Sequence, residues 1–277
     1  MRRSVRVLVP LAGVVAALLL AATVHGQSLE DRIDRAHGTV RFSYQPKPGV
    51  CGDGAATIYI ENERGGQRVQ MRSGSGGTWN YSSRYSDEWI RSCEPGPVRV
   101  ALTVDQGRVT SLRAYVGGEW RPRESTSDFG RIDPRDAANL LMGIAERSNT
   151  SSVGNDAIFA ATLADAEIWR RLLRMARNSN TDRNLRKQAV FWLGQEAAQA
   201  ATTGLREIID SDEEIEVREH AIFALSQRPN EESVPALIAL VRRNNVDPRL
   251  KKRALFWLGQ KDDPRAIALF EEILIRG

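Results

Sequence analysis

Groups that carry chemistry are scarce in this sequence. Three histidines are present, His25, His37 and His220, and none has a second ligand at a recognisable metal spacing. The two cysteines, Cys51 and Cys93, are too far apart for a C-x-x-C redox pair. The glycine-rich stretches at 52–54 and 74–77 lack the lysine and the strand-to-helix frame of a phosphate loop, and read as flexible loops. Ser73-Gly74-Ser75-Gly76-Gly77 likewise lacks the frame of a nucleophile elbow. One acidic cluster exists, Asp210, Asp212, Glu213, Glu214 and Glu216. It carries Ile215 where a calcium loop needs glycine, so its charges read as helix-start residues. No catalytic residue, metal ligand or cofactor site can be named.

An excess of one charge is also missing. The formal net charge is +4, and Arg2, Arg3 and Arg6 supply three of those charges. Residues 27–125 hold 14 basic and 12 acidic side chains, and residues 126–277 hold 22 and 23. Neither half would attract nucleic acid or an anionic membrane by charge alone.

Long apolar runs are absent apart from one near the start. Residues 7–20 form an apolar core behind the three arginines, and Val24 and Gly26 stand at minus three and minus one of a cleavage point before Gln27. This predicts a secretory signal over residues 1–26, with the mature protein periplasmic or extracellular and not inserted in a membrane. The alternative is an uncleaved N-terminal anchor, since residues 7–24 carry no charge. In an exported chain, Cys51 and Cys93 read as a disulfide. Closing a loop of that length is worth about 4 kcal/mol in the chain-entropy model.

What the sequence does have is a phrase repeated four times. Ala157-Ile158-Phe159-Ala160 returns as Ala189-Val190-Phe191-Trp192, as Ala221-Ile222-Phe223-Ala224 and as Ala254-Leu255-Phe256-Trp257. The anchor alanines thus recur at an almost constant interval, and a period of that size signifies stacked helical repeats. Val153, Leu185, Val217 and Leu250 lie four before each anchor alanine, and Ala161, Leu193, Leu225 and Leu258 four after it. That i, i+4, i+8 stripe marks a first helix in each unit. Thr162, Gly194, Ser226 and Gly259, five after the anchor, are small and would let a neighbouring helix come close. Leu173, Leu205, Leu237 and Phe270 begin the apolar face of a second helix, continued by Ala176, Ile208, Leu240 and Ile273. Asp182, Glu214 and Asp247 sit at helix starts, and Thr150 holds the same place as a hydroxyl cap. Residues 136–145 read as a half-repeat capping the array.

Asp247-Pro248-Arg249, the run from Lys251 through Gln260, and Asp263-Pro264-Arg265-Ala266 resemble HEAT repeats of the short type, also found in phycobilin lyases and in many exported bacterial proteins. The resemblance covers about half the chain and implies a solenoid whose second helices line a concave side. It therefore implies an inner surface bearing Arg170, Arg174 and Arg206. Trp192 and Trp257 share one position in their units and read either as helix packing or as aromatic anchors for a partner.

Before the repeats the texture is β. Ser28 and Asp31 are spaced as a capping box for a short helix. Residues 39–44, 56–61 and 68–72 are short strand-like runs, and 98–104 and 109–116 form a hairpin about Asp105-Gln106-Gly107-Arg108. The expected organisation is a signal at 1–26, a small β-rich domain at 27–122, a linker at 123–135 and the helical repeats at 136–277. The fold class is α+β, a small antiparallel β domain with one disulfide followed by an all-α HEAT-like solenoid. The expected function is an exported, non-enzymatic scaffold that binds another protein, with Arg170, Arg174, Arg206, Trp192 and Trp257 as candidate contacts. Two alternatives are a lyase or hydrolase sited where module meets array, and a ligand-binding β module with the repeats as spacer.

Overall fold

A computed structural model describes residues 28–55, 57–61, 68–73, 79–82, 93–121, 125–148, 150–196, 199–211 and 214–276. The signal segment, residues 74–77, and Asp212 and Glu213 of the acidic cluster lie outside the described residues.

A short helix, α1 (Leu29–Asp34), opens the described chain. The Ser28 hydroxyl accepts from the Asp31 N–H at 3.1 Å, and the Asp31 carboxylate accepts from the Ser28 N–H at 3.2 Å. That is the reciprocal cap which the spacing predicts. Next comes β1 (Gly38–Tyr44), which pairs antiparallel with β6 (Val98–Asp105), and β6 with β7 (Arg108–Val116). Gln106 and Gly107 both take positive φ, 48° and 74°, as a two-residue hairpin turn requires to match the strand twist. The period-two pattern decides the faces. Val40, Phe42 and Tyr44 of β1 and Val98, Val100, Leu102 and Val104 of β6 are all buried.

The fourth strand of this sheet, β8 (Thr126–Arg131), lies inside the segment read as a linker. It pairs parallel with β1 at the sheet edge, so the sheet is mixed rather than wholly antiparallel. Its residues are exposed or half-buried throughout. A strand with no buried face needs no apolar alternation, and the sequence therefore carried no strand signal there.

The second sheet has the order β2 (Val50–Gly52), β3 (Thr57–Glu61), β4 (Arg68–Ser73), β5 (Trp79–Ser82), all antiparallel. Cys51 and Cys93 form the expected disulfide, with Cα atoms 5.4 Å apart. The two sheets meet where β2 passes β7. A Cβ at Gly52 would lie 2.6 Å from the Val116 carbonyl oxygen, so only glycine fits. The glycine segment 52–54 is pinned rather than loose. Gly52 exchanges hydrogen bonds with Glu94, and the Arg99 guanidinium donates to the Gly54 carbonyl at 2.7 Å.

Nine helices follow in the described chain: α2 (Pro134–Arg147), α3 (Ser151–Thr162), α4 (Trp169–Arg177), α5 (Arg183–Gln195), α6 (Gln199–Asp210), α7 (Ile215–Ser226), α8 (Asn230–Arg242), α9 (Pro248–Leu258) and α10 (Pro264–Arg276). The odd-numbered helices from α3 are the first helices of the units. The even-numbered ones are the second helices, with α2 as the half-repeat packed on α3. All four anchor alanines are fully buried, and every residue of the flanking stripe is at most 3% exposed. One contiguous buried cluster runs from Ile33 through both sheets to Leu269. The β strands and the helices thus share a core. The joint is direct: β7 packs on α3, and the Lys47 N–H donates to the Leu163 carbonyl at 2.8 Å.

Candidate functional site

The first helices build the interior of the array. Gly194 is where small size matters most, since a Cβ there would sit 2.9 Å from the Ala224 Cβ of the next unit. At the equivalent Gly259 the nearest atom would be 3.5 Å away and the residue is exposed. The phenylalanines and tryptophans of the repeated phrase form a column along these helices. Trp192 packs on Phe159 of the preceding unit at 5.5 Å between ring centroids, and Trp257 packs on Phe223 at 5.1 Å. Phe191 stacks on Phe223 at 6.5 Å. Trp192 is 4% exposed, and Trp257 is half-buried with its indole nitrogen buried. Both rings fill joints between repeats.

Helix starts follow the predicted chemistry in part. The Asp182 carboxylate accepts from the Asn184 and Leu185 N–H groups, and the Asp247 carboxylate from the Arg249 N–H at 2.8 Å. Thr150 makes no side-chain cap; the Ser148 hydroxyl donates instead to the Thr150 carbonyl. Glu214 also leaves its helix start uncapped and turns to Arg183 and Arg186 of the previous unit. Asp210 likewise pairs with Arg243. Two of the cluster's acids are therefore ties between repeats.

The second helices carry a lattice of such ties. Arg171 of α4 binds Glu146 of α2 through two hydrogen bonds, at 3.0 and 2.6 Å. Arg177 pairs with Glu207 of α6 at 3.0 Å, and Arg242 of α8 with Glu272 of α10 at 2.6 Å. Against this pattern, the three arginines singled out from the sequence behave differently. Arg170 lies over the Trp169 ring and pairs with Glu167 on its own turn at 3.0 Å. Arg174 and Arg206 are exposed, and neither has a carboxylate partner among the described residues. They occupy equivalent positions on the neighbouring helices α4 and α6, which pack on each other. Arg206 also borders an open groove of about 700 Å³ with Arg177, Thr203, Glu207, Asp210 and Ser211.

Of the histidines, His37 is exposed. His220 is half-buried beside Phe223. Burial, with Lys187 and Arg253 nearby, pushes its pKa down to about 4. Among the described residues no group of three metal-ligating side chains converges.

Two buried arginines were not legible in the sequence. Arg186 is 1% exposed and donates to Glu214 at 2.7 Å. Arg228 is 2% exposed and sits in the turn after α7, where a charge is ordinarily solvated. Its guanidinium reaches Thr202, Glu232 and the carbonyls of Gly194 and Glu196, and so joins two successive units. Neither residue breaks the apolar period, which is the only signal that would have placed it inside.

No curated protein matches the chain. Residues 169–249, from α4 into α9, match the family model of HEAT repeats, and the same two-helix unit continues on both sides of that stretch. With its stacked helix pairs, buried anchor alanines and this match, the chain is a HEAT-repeat-containing protein.

Proposed function

We propose that the protein is exported and acts as a non-enzymatic scaffold, holding another protein against the second helices of its array. HEAT repeats generally serve as protein-interaction scaffolds. The observation that carries the reading is Arg174 with Arg206. They stand at one register in adjacent repeats, exposed and without a carboxylate partner among the described residues. Neighbouring Arg171 and Arg177 are held in ties between repeats. Those ties fix the spacing of the helices, so the two open cations are presented at a set separation. Such a pair suits an acidic protein surface and speeds encounter with it. Arg170 extends the basic stretch by one turn.

Export is supported by the arginine-led apolar segment at the start and by the disulfide, which persists in oxidising compartments. Among the described residues no helix is long and apolar enough to cross a membrane.

The test is affinity capture from a cell envelope fraction, read by quantitative mass spectrometry. The native protein is compared with a variant carrying Arg170→Glu, Arg174→Glu and Arg206→Glu. A protein enriched by the native bait and lost from the variant is expected, with capture weakening as salt rises. Equal recovery by both baits would remove the second helices from the interaction.

A further inference from the structure

The outer face of the first sheet carries a cavity that the scaffold reading does not use. Its volume is about 520 Å³, the size of a small-molecule site. Arg41, Arg99, Tyr115, Trp120 and Thr126 line it, with Glu119 and Arg121 at its margin. Strand alternation explains the composition. Arg41 of β1, Arg99 of β6 and Tyr115 of β7 point away from the core that their neighbours Val40, Val100 and Ala114 fill. The turn after β7 then brings Trp120 back against Tyr115, with ring centroids 6.4 Å apart and edge to face.

Arg99 is buried and is held in place by the protein backbone. Its guanidinium donates to the carbonyls of Gly117, Glu119 and Gly54, each at 2.7 Å. Among the described residues no carboxylate pairs with it. Burial accordingly lowers its pKa below the ordinary guanidinium value. Arg41 also lies over the Trp120 ring, 5.4 Å from that ring's centroid, with Arg99 at 5.0 Å. Arg41 uses Nε on Asp128 at 2.8 Å, which leaves its two terminal nitrogens without a partner among the described residues. The Thr126 hydroxyl is buried at the same cavity and also has no hydrogen-bond partner there.

Asp128 thus balances Arg41, while the buried Arg99 has no carboxylate partner among the described residues, which leaves one buried positive charge without a counter-ion. A buried cation without a counter-charge is costly, and a ligand carrying one negative charge offsets that cost. The free nitrogens of Arg41 match the fork geometry of an oxyanion, and the Thr126 hydroxyl can supply a further donor. The Tyr115 and Trp120 rings, set edge to face, form an apolar corner beside the guanidinium groups. We infer that this cavity binds a small planar monocarboxylate, its carboxylate on Arg41 and Thr126 and its flat body against Tyr115 and Trp120.

The inference does not depend on the scaffold reading, because the site lies on the β strands and the proposed protein contact on the repeats. It is tested on the full chain with the disulfide formed, at neutral pH, by following the Trp120 indole N–H resonance, assigned by its loss in Trp120→Phe. The probes are 2-naphthoate, the neutral 2-naphthalenemethanol and phenyl phosphate. The expected result is saturable movement of that resonance by 2-naphthoate, with the neutral alcohol at least about tenfold weaker. Arg41→Gln should weaken naphthoate binding by about tenfold or more, the loss expected for a charge-assisted contact. Thr126→Val should weaken it less while leaving the remaining amide spectrum unchanged. That second variant keeps the test valid if losing the Arg41–Asp128 pair disturbs β8. Equal binding of alcohol and acid would reduce the cavity to an apolar slot and overturn the assignment. Tighter binding of phenyl phosphate than of naphthoate would overturn the carboxylate assignment. No movement with any probe at millimolar concentration would overturn the site.

Discussion

The hydroxyl of Tyr44, the last residue of β1, donates to the carbonyl of Ala160 in the last turn of α3. Tyr44 is fully buried, and burial raises its pKa well above the ordinary phenol value, so the donor proton is retained. The final carbonyls of a helix lack partners within it. The Ala160 carbonyl accepts the capping Leu163 N–H at 3.2 Å, and Tyr44 adds a second donor from the strand; Lys47 supplies one at Leu163. Tyr44→Phe keeps the ring and removes the donor from a buried acceptor. The expected loss is about 1–2 kcal/mol in urea denaturation. Because the core is shared, wild type should unfold in a single transition seen alike by near- and far-ultraviolet circular dichroism. Two separated transitions in the wild type would show that the Tyr44 joint does not couple strands to helices.

The helical half was legible because each unit repeats the same demand. A buried anchor alanine, an apolar stripe and a small residue recur at one period, so weak signals reinforce one another. Gly194 shows the limit of that argument. Its smallness is required because Ala224 of the next unit presses on it, whereas Gly259 obeys the same pattern with nothing pressing on it. In the β half the strands with a buried face, such as β1 and β6, could be read by alternation. Edge strand β8 could not, because pairing there is made by backbone groups that any sequence possesses. The cavity was invisible for a related reason. Arg41, Arg99, Tyr115 and Trp120 are scattered along the β half of the sequence and meet only through strand register. Arg170, Arg174 and Arg206 were found because they follow the period, and which of them carries a partner depended on where the acids fell.

The two glycines give a paired test of close helix approach. Gly194→Ala must push α5 from α7 or distort the turn that follows, and overpacking of this kind costs about 1–3 kcal/mol. Gly259 ends α9 with an ordinary helical φ of −65°, so Gly259→Ala has no strain to meet. It should be neutral or stabilise by up to about 1 kcal/mol through the less flexible unfolded chain. Thermal midpoints of the two single variants against wild type decide the matter. A Gly194→Ala protein as stable as Gly259→Ala would show that the contact at Ala224 relaxes freely.

His220 should make the array sensitive to mild acid. Its pKa is about 4 in the fold, against 6.5 for an unperturbed histidine. Between these values the unfolded chain takes up a proton that the native chain does not. Stability is therefore fully present above about pH 6.5 and is lost progressively as pH falls to about 4. The whole effect is at most about 3 kcal/mol. Asp263, held near 2 chiefly by the Arg265 hydrogen bond, titrates below this window and does not confuse it. Gln188 fills the aligned slot in another unit, which makes His220→Gln the natural control. Urea midpoints at pH 7 and pH 4.5 should converge in that variant and diverge in wild type. The same acid loss in both proteins would assign it to other groups.

Arg228 offers the sharpest test of how the repeats are tied. Its guanidinium donates to Glu232 at 2.9 Å and to Thr202 at 2.8 Å, and reaches the carbonyls that end the α5 unit. Lys261 of the following turn donates to its carbonyl at 3.4 Å. Removing the side chain takes the cation from Glu232, which keeps only neutral donors such as the Thr202 hydroxyl, and a donor from the Gly194 and Glu196 carbonyls together, so Arg228→Ala should cost about 3–5 kcal/mol. Lysine keeps the charge without the planar fork and can satisfy fewer of these acceptors, so Arg228→Lys should fall between alanine and wild type. The double variant Arg228→Met with Glu232→Gln distinguishes a stranded charge from lost packing. If the cost of Arg228→Ala comes mainly from the abandoned carboxylate, the double variant should recover about half of it. Recovery of nothing would place the cost in the backbone carbonyls of Gly194 and Glu196, and so in the joint between successive units rather than in the ion pair.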